Sequence, residues 1–433
     1  MYKVRSLFAV CCLMFLLSAC GSQTPQATTV SFMVFGDPAE RQAYQNLVDA
    51  FHEAQDGVRV ELRHVPSPRE YRTRLATEFA AGSPPDISLM NYRRYAAFAA
   101  SDLLQPLGPY LEVSELIDEG DFYQVAIDAF MWGDTLMCLP QNISSLVVYY
   151  NQDLFDEAGV AYPADDWTWD DFVRTARALT LDRDGDGAVD QYGVGIEPSL
   201  YRLSAFVWQN DAPLVDDPLH PSRLTLTRPP SLEALQWFVD LRQVHGVAPG
   251  RVEEASQDSE SRFLAGSTAM YLNSRRGTPT YRQIETFTWD VAPLPRHKTA
   301  AGILHSDAYC LSATTADKEA AWAFIEFANA VEGQTVIAAS GRTVPSLRHV
   351  AESDAFLNDG QPPARARVWL DVASQLRQVP VISTWEEIEG SASREIERAF
   401  YGEITAQEAA TLAVQRTREY FLLGVTAETG DTD

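Results

Sequence analysis

The stretch Met137-Cys138-Leu139-Pro140-Gln141-Asn142-Ile143-Ser144-Ser145-Leu146-Val147-Val148-Tyr149-Tyr150-Asn151-Gln152-Asp153-Leu154-Phe155 decides the fold. An apolar strand ends at a proline, a polar turn follows, and a second β-rich run stops at Asn151-Gln152-Asp153, where a helix is expected to begin. Shortly after it, Thr168 stands before Trp169-Asp170-Asp171-Phe172. Thr168 can cap a helix start there, with Asp171 at the reciprocal position of a capping box.

On the N-terminal side, Val30 to Phe35 is expected to be a strand that ends at Gly36-Asp37-Pro38. Ala43, Leu47, Phe51 and Ala54 then recur at helical spacing, and Val58, Val60 and Leu62 alternate with charged residues as in a half-buried strand. Tyr71, Leu75 and Phe79 mark a second helix, stopped by Gly82-Ser83-Pro84-Pro85, and Asp86 to Met90 forms a third strand. Alternation of this kind predicts a mainly parallel sheet covered by helices. Beyond the central stretch, helices are expected over 169–179, 231–244 and 258–264, and strands over 192–196 and 268–272. A strand-rich return spans 302–312 and precedes a helix over 320–328. The tail from 365 to 423 is mostly helical by spacing, with breaks near Val379-Pro380 and Gly390.

At 433 residues the chain exceeds the size at which one core usually stops growing. Two domains are therefore expected. Its 46% hydrophobic and 22% charged content fits a globular protein. A formal net charge of −26 argues against nucleic acid, which calls for basic stripes, and against adhesion to anionic lipid. The first residues are those of an export signal: basic Lys3 and Arg5, an apolar run from Leu7 to Leu17, and the small-residue site Leu17-Ser18-Ala19-Cys20-Gly21. The run is short for a transmembrane helix. Residues 1–19 are thus expected to be a signal peptide, followed by a polar tether over 20–29.

Five blocks, in this order, resemble the bacterial extracellular solute-binding proteins, and more narrowly the carbohydrate-binding group of ABC importers that includes maltose-binding protein. They are Gly82-Ser83-Pro84-Pro85-Asp86-Ile87; the central stretch with Trp167-Thr168-Trp169; Phe263-Leu264-Ala265-Gly266-Ser267-Thr268-Ala269-Met270; the return over 302–312; and Lys318 to Phe327. The resemblance implies an α/β fold of two lobes, each a mainly parallel sheet flanked by helices, joined by hinge crossings. Lobe one would comprise 30–139 and 311–350, and lobe two 140–310 and 351–433. Leu17 to Cys20 likewise resembles a lipoprotein signal, so Cys20 would carry lipid and hold the protein, expected to be a monomer, at the outer face of the cell membrane. More than one acyl chain anchors stably.

Cys11 and Cys12 leave with the signal, which leaves Cys138 and Cys310 as either a disulfide or two buried thiols. Since the crossing strands run side by side in the resembled family, the two are expected to be close enough to bridge.

No nucleophile elbow, phosphate loop or zinc helix is present: the seven histidines are scattered, and His52-Glu53 lacks a second histidine. No enzyme motif is therefore placed. The strongest local motif is Asp182-Arg183-Asp184-Gly185-Asp186-Gly187-Ala188-Val189-Asp190. Asp182, Asp184, Asp186, the Ala188 carbonyl and Asp190 match the first nine positions of a calcium loop, although Gly193 stands where the usual glutamate would. Either a structural Ca²⁺ or a solvated acidic turn fits this pattern.

The ligand site is expected in the interlobe cleft, at the carboxyl ends of the strands. The resemblance points to Glu40, Asn91 and Tyr92 in lobe one, and to Asn142, Arg276, Asp307 and Tyr309 in lobe two and the crossings. Pyranose faces stack on aromatic planes. Of nine tryptophans, Trp169, Trp237 and Trp322 read as packing, while Trp208 and Trp385 stand at polar breaks and are the stacking candidates. The implied function is capture of a sugar or oligosaccharide for an ABC importer. A glycerol-phosphate-type solute and a surface carbohydrate-active enzyme are the alternatives.

Overall fold

The computed structural model describes residues 27–357 and 360–427. Cys20, the signal peptide and most of the tether lie outside the described residues. Two sheets lie one in each lobe. In the first, Val58–Val65, Thr28–Phe35 and Ile87–Asn91 are neighbours in that order and parallel. The helices Pro38–Ala54 and Pro68–Ala80 begin on side-chain caps from Asp37 and Ser67, each with a proline in the first turn, where a missing N–H does no harm. The first helix buries Ala43, Leu47 and Phe51, as the spacing predicts.

The strand Asp307–Ser312 runs antiparallel beside Ile87–Asn91, with Asp307 opposite Asn91, and also pairs with Cys138–Pro140. It lies wholly in the first sheet, so a lobe boundary at 310/311 falls inside a strand; the return is complete before Asp307. In the second sheet, Val147–Asn151 is central, antiparallel to both Thr268–Asn273 and Trp289–Ala292, with Tyr192–Gly195 at the edge. All five residues of Val147–Asn151 are buried. Between the sheets, Asn142–Ile143 pairs with Val344–Pro345. The opening stretch of the sequence thus contributes a strand to lobe one, a rung to the hinge and the middle strand of lobe two.

Further expectations change. The second sheet is mainly antiparallel where a mainly parallel one is expected, because its central strand Val147–Asn151 runs against both neighbours. The short helices Arg348–Ala351 and Asp354–Leu357 pack on Val331–Ala339, which packs on Pro38–Ala54, so lobe one keeps the chain past residue 351. Gly390 breaks nothing: the helix Trp385–Phe400 runs through it and packs against Ala406–Leu423 in lobe two. A helix the periodicity gave no sign of, Leu200–Gln209, buries all ten of its residues. The Thr168–Asp171 capping box forms as expected, with Asp171 N donating to Thr168 Oγ1 at 3.2 Å and Thr168 N to Asp171 Oδ2 at 2.9 Å.

Cys138 and Cys310 are joined in a disulfide between neighbouring strands of the first sheet, with Cα atoms 4.5 Å apart. This is at the short end of the range a bridge allows.

Candidate functional site

A cleft of about 1050 Å³ opens between the lobes, at the carboxyl ends of the strands of the first sheet. Lobe one contributes Asp37 after Thr28–Phe35 and Asn91, Arg93 and Arg94 at the end of Ile87–Asn91. The hinge contributes Asn142, His305, Asp307 and Arg342. Lobe two adds Glu197, Tyr201, Arg202, Arg276 and Glu389.

The hinge corner is a closed hydrogen-bond network. Asn91 Nδ2 donates to Ser306 O at 3.1 Å and to Asp307 Oδ1 at 3.0 Å, while Asn91 Oδ1 accepts from Arg93 Nε at 3.1 Å. Asn142 Oδ1 accepts from Asp307 N at 2.9 Å. Burial raises the Asp307 carboxyl above its ordinary value, against the pull of Asn91 and Arg276. One wall is pinned from behind by Glu40, whose Oε2 accepts from Arg276 Nη2 and Arg342 Nη2, each at 3.0 Å. Gly36 makes room for that carboxylate: its φ is +128°, and a Cβ there would meet Glu40 Oε2 at 1.6 Å. Burial raises Glu40 despite both arginines. At Asp37, burial pushes upward but the Glu40 N–H and Arg342 outweigh it, so its pKa is lowered.

Several contacts cross from lobe to lobe. Arg93 Nη1 reaches both carboxylate oxygens of Glu389 at 2.5 Å, and the guanidinium lies 3.7 Å from the centroid of the Tyr201 ring. Glu386 takes Arg72 at 2.9 Å and Arg94 at 3.3 Å. Arg276 with Glu40 is a further bridge between lobes. The His305 ring stacks on Tyr201 at 4.6 Å. Burial, then Arg202 and Arg93, hold the pKa of His305 well below 6.5.

Of the residues expected from sequence, Asn91, Asn142, Arg276 and Asp307 line the cleft. The other five do not. Glu40 is buried behind the wall and acts on it through Arg276 and Arg342. Tyr92 is buried, and Tyr309 is a core residue whose hydroxyl accepts from Gln141 Nε2 at 2.9 Å. Trp208 packs in its buried helix and borders a separate cavity of about 590 Å³ with Leu214 and Val379. Trp385 is 1% exposed; its Nε1 donates to Glu389 Oε2 at 3.3 Å, so it stands one bond behind the cleft. No tryptophan lines the cleft among the described residues. The rings that do include Phe35, Tyr71, Tyr201 and Tyr271. Sequence reasoning missed Arg93, Glu197, Tyr201, Arg202 and His305. Only Arg93 carried a signal, since it follows Asn91 and Tyr92 at the end of the same strand.

In the acidic loop, carboxylate oxygens of Asp182, Asp184 and Asp190 lie within 4.8 Å of one another, all exposed. Asp186 is outside this group, its Oδ1 accepting from Ala188 N at 2.7 Å. Asp182 accepts from Gly185 N and Gly187 N, which curls the chain around the cluster.

A sequence profile described as bacterial extracellular solute-binding protein matches residues 36–335. A binding protein of Brucella abortus (strain 2308) is 23% identical over 369 residues, covering 83% of this chain and 85% of that one. The arabinooligosaccharide-binding protein of Halalkalibacterium halodurans is 28% identical over 180 residues, 40% of this chain and 36% of that one. Among solved structures, an ABC substrate-binding protein of Listeria monocytogenes in complex with cycloalternan superposes with a TM-score of 0.84 at 23% identity, covering 91% of this chain and 99% of that one.

Proposed function

This chain belongs to the family of bacterial extracellular solute-binding proteins, and on that premise we propose that it captures a sugar or oligosaccharide and delivers it to an ABC importer. The observation that carries the reading is the cleft itself: about 1050 Å³, walled by polar side chains from both lobes and from the hinge. A saccharide presents hydroxyls on every side, and Asn91, Asn142, Asp307 and Arg276 are placed to meet them. The names of relatives that bind oligosaccharides or cycloalternan support the same class of solute.

The mechanism is hinge closure. A solute that touches both walls binds the closed form better than the open one and shifts the population toward it. The protein releases its solute unchanged, because it is a binder and not an enzyme. The Leu17-Ser18-Ala19-Cys20 motif supports a lipid anchor on Cys20 at the outer face of the cell membrane, which would keep an acidic receptor close to its importer. In the acidic loop, Asp182, Asp184 and Asp190 would hold a structural Ca²⁺, a cation that takes six to eight oxygens and needs other donors to complete its shell.

A thermal-shift screen of the full chain against mono- and oligosaccharides tests the central reading, since a ligand that binds only the folded state raises apparent stability by mass action. Isothermal titration and chromatography of the recovered ligand should follow. Saturable binding of an intact saccharide is the expected result; turnover of the sugar, or no shift with any saccharide, would overturn it.

A further inference from the structure

Among the described residues, the buried side-chain atoms that line the cleft and lack a hydrogen-bond partner are all nitrogens: Arg202 Nε and Nη1, His305 Nε2, Arg342 Nε, and Arg94 Nε, which has only an ionic contact to Glu386 at 3.3 Å. No carboxylate oxygen is among them. The carboxylates of the cleft are engaged or open to water. Asp307 accepts from Asn91, Glu260 accepts from the Tyr281 hydroxyl at 2.6 Å, and Asp258 caps its own helix. Glu386 and Glu389 take the lobe-one arginines, while Glu197 and Glu387 are exposed.

Arg202 is the sharpest case. Its side chain is 10% exposed, and its one ionic contact is Nη2 at 3.5 Å from Glu197, whose side chain is 67% exposed. A contact that loose to a solvated partner is worth little. Two nitrogens of a buried guanidinium, carrying three N–H donors between them, are therefore idle, and leaving such donors unmade is unfavourable. Arg202 also sits in the first turn of Leu200–Gln209, whose capping residue Ser199 lines the same cleft, so the positive end of the helix faces this corner. His305 stacks on Tyr201 at 4.6 Å, and the Arg202 guanidinium lies 5.7 Å from the centroid of that ring.

Around Arg202 the unpaired donors outnumber the acceptors, of which Glu197 is already solvated. A group that only accepts fits the donors present. We infer that Arg202 and His305, beside Tyr201, receive an anionic group of the solute, so that the saccharide is an acidic one bearing a carboxylate or a phosphate ester. The inference rests on the saccharide reading above. Arg202 supplies the planar fork that meets two oxygens at once. His305 Nε2, unpartnered beside Arg202, donates to the anion in the tautomer or the protonated form that carries a hydrogen there, and an anion beside it favours protonation.

The test is titration of the full chain with matched pairs: galacturonate against galactose, glucuronate against glucose, and the corresponding disaccharides. Glucose 6-phosphate serves as the phosphate arm and glycerol 3-phosphate as an anion without a sugar ring. The acid of a pair should bind more tightly than its neutral partner by about tenfold or more, the worth of one charge-assisted hydrogen bond. Whether uronates or the phosphate prevail decides which anion is read. Arg202→Met should abolish the preference by weakening the acid far more than the neutral sugar, and Arg202→Lys should retain part of it. Should Arg202→Met not fold, the wild-type ratio decides alone. Equal or tighter binding of the neutral sugars overturns the anion site and leaves the saccharide reading standing. Binding of glycerol 3-phosphate with no saccharide bound overturns the saccharide reading instead. Silence from every compound overturns both.

Discussion

Asn91, Asn142 and Asp307 meet because each sits where a strand gives way to the cleft, and strand ends can be found by eye in an alternating sequence. Aromatic side chains gave no comparable signal. Trp208 and Trp385 stand beside polar residues, but a tryptophan at a helix terminus is as readily a core residue, and both are buried. Tyr309 alternates with Ala308 and Cys310 on a strand whose two faces are both covered, so its hydroxyl found Gln141 and no solute. His305 makes a prediction at this scale. Its folded pKa lies well below 6.5, so between those two values the unfolded chain binds the proton and the folded chain does not. Its contribution to stability is therefore complete above about pH 6.5 and is lost as the pH falls toward the folded value. The melting temperature should drop between about pH 7.5 and pH 5, and His305→Asn should make that drop shallower. Parallel melting curves for the two proteins would refute the assignment.

The helices that sequence reasoning found were those with one wet face, because amphipathic spacing exists only where a helix divides core from water. Leu200–Gln209 is buried on all sides and offers no such stripe, so the helix that carries Tyr201 and Arg202 went unseen and the site with it. Gly390 misled in the opposite sense. It lies inside Trp385–Phe400, and a Cβ added there meets nothing within 4 Å. Gly390→Ala should therefore stabilise the protein by about 1 kcal/mol, the difference in helix propensity, measured by chemical denaturation. A destabilised variant would mean that the helix is interrupted there. The acidic loop was legible as a motif, yet only three of its four aspartates converge. A chelator should lower the melting temperature, and Asp184→Ala with Asp190→Ala should remove that sensitivity. An unmoved melting temperature on chelation of the wild type would exclude a structural Ca²⁺.

At the scale of the whole molecule, the disulfide and the interlobe ion pairs act on different degrees of freedom. Cys138–Cys310 lies within the first sheet and closes a loop of 172 residues, so it constrains the unfolded chain and leaves the lobes free to move. Cys138→Ala with Cys310→Ala should lower stability by about 2–4 kcal/mol while leaving solute affinity almost unchanged. Arg93 works in the other way. It leaves the first sheet at Asn91, crosses the cleft and ends between Glu389 and the Tyr201 ring, with Trp385 holding Glu389 from behind. The side chains of Arg93 and Glu389 are 11% and 17% exposed, so water screens the pair little. Opening the hinge must break it, together with the bridges to Glu386 and Glu40. The pair thus weights the closed form, and a solute that selects that form binds more tightly when more of it is populated. Removing Arg93 leaves Glu389 without its main partner in the closed form and solvated in the open one, so the balance moves toward opening. Arg93→Ala should raise the radius of gyration of the protein without added solute in small-angle scattering, and weaken solute binding by about tenfold through a lower closed population. High salt should act in the same direction on the wild type but more weakly, because only the exposed bridges from Arg72 and Arg94 to Glu386 are readily screened. If Arg93→Ala weakens binding with no change in the radius of gyration, Arg93 serves the solute directly and the hinge is weighted by something else.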